Sequence, residues 1–343
     1  MIAAAVIAFL IVLALTPLVR VLCLRAQIVD RPGPLKIHST PTPRLGGVAI
    51  FSGIIAGILA VNAGAAVANW PVLAAFALIW LTGLLDDLRS LPATLRLAAQ
   101  FMCAALLWHA GLRLVIFDNA PANFTIEAGF VMLLINSMNW LDGIDGMATE
   151  IAGLIALSYA LSPSHALTAL GLVTACSMCG ACAAFLFYNI EPASIFGGDS
   201  SSTLVGLIIA FLGLDLTRRH QPSTSHDILV PLLVTSVPVF DALVVVLGRL
   251  ARRESALAGD KKHFYDVLLA RGWSVSSVTV VSCAVTAICV AIAAAIERYA
   301  ISPAWSTVGF GLSVLWIIAP RLGSFAEARV PLPRKLFARG TFR

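Results

Sequence analysis

Charge is what this chain has least of. Asp, Glu, Lys and Arg together make up 12% of its 343 residues against 59% hydrophobic residues, and a soluble domain of that composition would aggregate in water. No stretch between the apolar runs is long enough for a soluble domain of useful size. The runs lack the polar–apolar alternation of lipid-facing strands, which argues against a β-barrel. The first run lacks both a preceding basic segment and a small-residue cleavage site, so it is expected to stay as a helix and not to leave as a secretory signal.

What is present is a series of nearly uncharged runs, close to the roughly 20 helical residues that cross a bilayer core of about 30 Å. With a mean hydropathy of +0.92, the chain is expected to be an all-α, polytopic integral membrane protein, one domain over 1–343 with a basic tail at 321–343. Eleven spans are predicted, near 1–19, 45–62, 70–85, 94–112, 125–138, 147–162, 166–187, 203–217, 227–248, 274–296 and 304–320.

The basic residues fall on one side of that alternation. With the N-terminus outside, only Arg113, Arg218, Arg219 and Arg298 of the 23 Lys and Arg lie in outer loops, a bias that marks the opposite loops as cytoplasmic. The net charge of +5 then follows from topology and attraction to anionic lipid, and requires no nucleic-acid partner. The run "CSMCGAC" (Cys176, Cys179, Cys182) has a spacing also met in iron–sulfur ligation. It sits mid-span among Ala, Ser and Gly, where close helix packing is the preferred reading.

The acidic residues gather at the predicted cytoplasmic face. "LTGLLDDLRSLP" ends the third span with Asp86 and Asp87; adjacent carboxylates at a membrane boundary call for a divalent cation or a nearby Lys, although a solvated helix end explains a lone pair equally well. "INSMNWLDGIDGMATE" ends the fifth with Asn136, Asn139, Asp142 and Asp145. Gly143 and Gly146 would let the backbone curl these four groups into one concave site, and helix capping explains one of them but not four. "IFGGDSSST" places Asp199 and Ser200 where a loop enters a helix, a place suited to phosphate and its Mg²⁺, or an ordinary Gly/Ser turn.

Two basic loops complete that face. "DRPGPLKIHSTPTPRLGG" carries Lys36, His38 and Arg44, and "GRLARRESALAGDKKHFYDVLLARGW" carries His263. Either could merely serve topology, yet basic groups facing three acidic loops are what a nucleotide diphosphate with its metal requires. Asp241 lies within the ninth span, about 12 Å from its end at 1.5 Å per residue, where an ionisable group is costly enough to suggest function. It is expected to support the catalytic loops and not to act directly.

In combination, "KIHSTPTPRLGG" at 36–47, Asp86 with Asp87, "NSMNWLDGIDG" at 136–146, "FGGDSSS" at 196–202, "PVFD" at 238–241 and His263 resemble the polyprenyl-phosphate N-acetylhexosamine-1-phosphate transferases, bacterial glycosyltransferase family 4. The resemblance spans nearly the whole chain. It implies transfer of a sugar 1-phosphate from a UDP-N-acetylhexosamine to undecaprenyl phosphate with release of UMP, opening a surface glycan such as O-antigen. It implies a bacterial inner membrane, a cytoplasmic site, N-terminus out and C-terminus in, and Mg²⁺, with Mn²⁺ as a substitute and a homodimer admitted.

By the same resemblance Asp199 is the metal ligand and Phe196 the ring on uracil. Asn136, Asn139, Asp142 and Asp145 form the polar cluster, with Ser200 in the phosphate-binding loop. Lys36 and His263 neutralise or orient phosphates, and His38 and Arg44, beside Lys36 in the first loop, are expected to bind substrate. Asp86 and Asp87 remain open between lipid-phosphate deprotonation, positioning of metal or Lys36, and a covalent intermediate. Ser201 replaces the usual Gly, and "DKKHFYD" replaces a run of three histidines, which points away from the muramoyl-pentapeptide transferase. Two rival readings are an ion-coupled transporter, which should carry polar groups near the midplane, and an Mg²⁺-dependent membrane prenyltransferase, which would leave Lys36 and "IFGGDS" unexplained.

Overall fold

The computed structural model describes residues 1–33, 40–162, 166–218, 223, 225–255, 262–299 and 302–326. The apolar runs form helices: α1 (Ile2–Arg25), α2 (Gly46–Ala68), α3 (Trp70–Leu88), α4 (Ala93–His109), α5 (Ala120–Leu141), α6 (Met147–Ala160), α7 (Ala169–Asn189), α8 (Asp199–Thr217), α9 (Ser225–Val234), α10 (Ser236–Ala251), α11 (Phe264–Ala270), α12 (Val275–Tyr299) and α13 (Ser306–Ala326). Two short strands, β1 (Val29–Asp30) and β2 (Thr42–Pro43), pair antiparallel between α1 and α2.

Every predicted span has a helical counterpart, but the count of eleven is not reached by length and composition. Among the described residues eight helices can cross a membrane, or nine if α9 and α10 are one bent span. At 17 residues, α4 is shortened and made polar by Arg96 and Gln100. With 14 residues, α6 is about 21 Å long, well under a bilayer core. The predicted ninth span bends by 77° between α9 and α10. Pro238 has no N–H to bond back to Val234, so the ladder breaks there and the ring settles in the first turn of α10.

The centre of the bundle is α8. Its window is 94% buried, in keeping with a helix that is apolar on all sides. It packs on α3, α5 and α2, and Gly206 lies against the backbone of Ile135. Cys176, Cys179 and Cys182 lie on α7 among the small residues through which it meets α1, α2 and α6; Gly180 faces Ala5 and Cys182 faces Gly153. The N-terminus of α8 therefore opens at one end of the bundle, with the ends of α3 and α5 around it.

Candidate active site

The entry into α8 is held by two chain segments distant in sequence. Phe196 N–H donates to Pro43 O at 2.8 Å, and Gly46 and Gly47 return bonds to Phe196 O (2.9 Å) and Gly197 O (2.8 Å). The loop then turns at Gly198, whose φ of +75° suits glycine. On the other side, Asp87 Oδ1 accepts from Asp199 N–H at 2.9 Å, and Asp87 Oδ2 accepts from Ser200 N–H at 3.0 Å and from the Ser200 hydroxyl at 2.8 Å. A helix exposes unpaired N–H groups at its start, and Asp87, from another helix, caps them. Gly83 allows this approach: a Cβ there would lie 2.5 Å from Asp199 O. Arg44 donates to the backbone carbonyl of Asp87 and pairs with Asp30 at 3.9 Å.

Beside this cap lies an open cleft of about 540 Å³ between α3, α4, α5 and α8, lined by Asp86, Arg96, Gln100, Asn136, Asn139, Trp140, Asp199 and Thr203, with Ile79 and Leu97 as apolar wall. Asp86 accepts from Leu91 N–H at 2.6 Å and from Arg96 Nη1 at 3.0 Å. Asn139 Nδ2 donates to Asp199 Oδ1 at 2.7 Å and to the Ser202 hydroxyl at 3.0 Å. The carboxyl groups of Asp86 and Asp199 lie within hydrogen-bonding reach of each other, an arrangement that requires a proton or a cation between them.

The Asn–Asn–Asp–Asp series does not form one wall. Asn136 and Asn139 are helical and line the cleft, whereas Asp142 and Asp145 lie past the end of α5 and do not. Asp142 borders a separate small pocket with Thr149, Ser201 and Ser202. Burial there, reinforced by the negative charges of Asp87 and Asp145, pushes its carboxyl up to about 7. Asp145 accepts from Ala193 N–H at 2.8 Å, tying down the turn that precedes Phe196. The expected curling into one concave site is corrected accordingly: the helix continues to Leu141 and separates the amides from the carboxylates.

A second polar cluster supports the far side of α5. Asp241 is 1% exposed and sits 2.5 Å from His263 Nδ1 through Oδ2, while Oδ1 accepts from Phe264 N–H and Arg321 Nη2, both at 3.1 Å. The Tyr265 ring stacks on His263, and its hydroxyl donates to Trp140 O at 2.9 Å. Arg249 lies over the Trp140 ring at 5.3 Å. Trp140 lines the cleft, so the His263 loop bears on it through that residue.

Residues 69–217, which carry α3 to α8 and the whole cleft, match the family model described as glycosyl transferase family 4. A protein of Bacillus subtilis (strain 168) named "Probable undecaprenyl-phosphate N-acetylglucosaminyl 1-phosphate transferase" is 31% identical over 282 residues, covering 78% of this chain and 77% of that protein. The chain belongs to glycosyl transferase family 4. Also similar are the decaprenyl-phosphate N-acetylglucosaminephosphotransferase of Mycobacterium tuberculosis (strain H37Rv), 29% identical over 75% of this chain and 72% of that protein, and the phospho-N-acetylmuramoyl-pentapeptide-transferase of Corynebacterium jeikeium (strain K411), 26% identical over 81% and 91%.

Within this family 4 chain, the structure brings Asp86, Asn136, Asn139 and Asp199 to the cleft, and assigns Asp87, Ser200 and Arg44 to holding the start of α8. Phe196 is fixed by its backbone at the same loop, with its residue half-buried. Asp241, expected to support the catalytic loops without acting directly, contacts His263 in the loop before α11. Lys36 and His38 lie outside the described residues. Sequence reasoning missed Arg96, Gln100, Tyr265 and Arg321. Arg96 was absorbed into the topology count, and the spacing of Gln100 one turn after it on α4 was the available signal.

Proposed function

We propose that this protein transfers N-acetylglucosamine 1-phosphate, or a close N-acetylhexosamine 1-phosphate, from its UDP-sugar to a polyprenyl phosphate, releasing UMP. The membership in family 4 supports the reaction class. The single observation that carries the site is the meeting of Asp86 and Asp199 beside Arg96, Asn136 and Asn139 in one cleft. The product, a lipid diphosphate sugar, would open a cell-surface glycan such as O-antigen. The positive-inside bias supports an inner-membrane protein with this face in the cytoplasm, N-terminus outside and C-terminus inside.

Attack of one phosphate on another is opposed by charge repulsion, so positioning and electrostatics carry the rate. Among the described residues that line the cleft, Arg96 is the cation, and Asp86 holds it in place. Among the described residues no group of three or more His, Cys, Asp or Glu side chains is arranged for a metal. Two contacting carboxylates nevertheless suit Mg²⁺, which takes one or two protein carboxylates and fills its remaining positions with water and phosphate. Asp199 and Asp86 would hold Mg²⁺, or Mn²⁺, which when bound neutralises diphosphate oxygens. Asn139 orients Asp199 through its amide. Asp87 keeps the N-terminus of α8 in place, Phe196 offers a ring to uracil, and Lys36 and His38 would add positive charge from the first loop.

The test is UMP release from purified protein supplied with undecaprenyl phosphate and a panel of UDP-sugars. Release with UDP-N-acetylglucosamine supports the reading, and no release with any UDP-N-acetylhexosamine overturns it.

A further inference from the structure

Asn136 and Gln100 face each other across the α4–α5 seam and exchange hydrogen bonds. Asn136 Nδ2 donates to Gln100 Oε1 at 2.8 Å and to its own helix at Met132 O, 2.7 Å; Gln100 Nε2 donates to Asn136 Oδ1 at 3.3 Å. A carboxamide nitrogen has two hydrogens, so both of those on Asn136 are committed. The bond to Met132 O also fixes which way the amide points, because only the nitrogen can donate to a helix carbonyl. What Asn136 retains for a ligand is acceptor capacity on Oδ1.

Gln100 is in the complementary position. One hydrogen of Nε2 goes to Asn136, and the second remains for another acceptor. The residue is 4% exposed and lines the cleft beside Ile79, Ala93 and Leu97, where a donor left unmatched is costly. Arg96, one turn earlier on α4, lines the same cleft. Arg96 and Gln100 on α4 therefore present donors to the cleft, while Asp86 and Asp199, which line it too, present acceptors. An ionised phosphate oxygen accepts and does not donate, so it fits the α4 side.

We propose that Gln100, and not Asn136, supplies the amide hydrogen bond on this side, donating Nε2–H to a phosphate oxygen of a bound substrate. This rests on the transferase reading for the identity of the ligands, which are either the lipid phosphate or the diphosphate of the nucleotide sugar. Asn136 acts as a positioning residue that turns the Gln100 amide toward the cleft.

Equilibrium binding separates the two sources without requiring turnover. Undecaprenyl phosphate and UDP-N-acetylglucosamine are titrated separately against the full-length parent, Gln100→Met and Gln100→Glu, with the melting temperature of each protein measured unliganded. Gln100→Met removes the donor at nearly the same length, and Gln100→Glu keeps an acceptor for Asn136 Nδ2. The expected result is a loss of affinity of about ten- to hundredfold for one ligand, the other unchanged, in both variants. Weakening toward undecaprenyl phosphate assigns the donor to the lipid phosphate, and weakening toward the UDP-sugar assigns it to the diphosphate. Unchanged affinity for both ligands overturns the inference, as does equal weakening of both with a lowered melting temperature, which a purely structural role would produce. If Gln100→Met fails to fold, the same outcomes are read from Gln100→Glu. Absence of UMP release by the parent would count against the transferase reading, whereas unaltered binding in the variants of an active parent would count against this inference alone.

Discussion

Asp87 and Ser200 lie 113 residues apart in sequence and meet in two hydrogen bonds, the carboxylate accepting from both the backbone N–H and the hydroxyl of Ser200. Together with the bond from Asp199 N–H, this makes the second aspartate of the pair a cap for α8. The first, Asp86, faces the cleft. The two adjacent carboxylates therefore differ in place: one caps a helix and the other lines the cleft.

Their substitution should separate the same way. Asp87→Ala leaves three donors at the start of α8 without their acceptor and is expected to cost about 2–4 kcal/mol. Asp86→Asn should leave the melting temperature near the parent value while reducing turnover strongly. Thermal melts in detergent beside initial rates of UMP release check this. Equal destabilisation by both would show that the division of roles is wrong.

The contact between α3 and α8 should be intolerant of added volume. A Cβ at Gly83 would sit 2.5 Å from Asp199 O, so Gly83→Val should push the helices apart at a cost of about 1–3 kcal/mol and displace Asp199 from Asn139. A stable, fully active Gly83→Val protein would contradict the packing described.

Much of this was legible in the sequence because a bilayer writes its constraint directly as long apolar runs. The helices, and the gathering of Asp86, Asn136, Asn139 and Asp199, follow from counting residues between them. The count of crossings was less legible, because α4 carries Arg96 and Gln100 within 17 residues, α6 has only 14, and Pro238 breaks the ninth run. The division of labour was hidden for a different reason. Whether Asp87 caps a helix or touches substrate depends on a partner 112 or 113 residues away, and no local pattern encodes that. Arg96 and Gln100 were hidden because a single basic residue near a span end is what topology alone produces.

The pH dependence of stability should carry the mark of Asp142. Its carboxyl is raised by burial, then by Asp87 and Asp145, from 3.8 to about 7, so between those values the folded protein binds a proton that the unfolded chain has lost. Stability from this group is present at low pH and falls as pH rises from about 4 to 7. Asp142→Asn should therefore melt higher than the parent at pH 8, with the difference shrinking toward pH 4. A difference that grows on acidification would reverse the assignment.

Removing the buried partner of His263 should be costly. Asp241→Ala leaves Arg321 and His263 without their shared carboxylate, for which a loss of about 3–5 kcal/mol is expected. Asp241→Asn should lose less stability but still impair turnover, because the His263 loop bears on Trp140 at the cleft. Unchanged kcat in the folded Asp241→Asn protein would remove this cluster from the account.

The most direct test of the central claim is UMP release from UDP-N-acetylglucosamine and undecaprenyl phosphate in Mg²⁺, comparing the parent chain with Asp199→Asn. The expected result is Mg²⁺-dependent release by the parent and a loss of at least about a hundredfold in the variant, whose melting temperature remains close to that of the parent. Full activity in Asp199→Asn, or none in a folded parent with any UDP-N-acetylhexosamine, would contradict it.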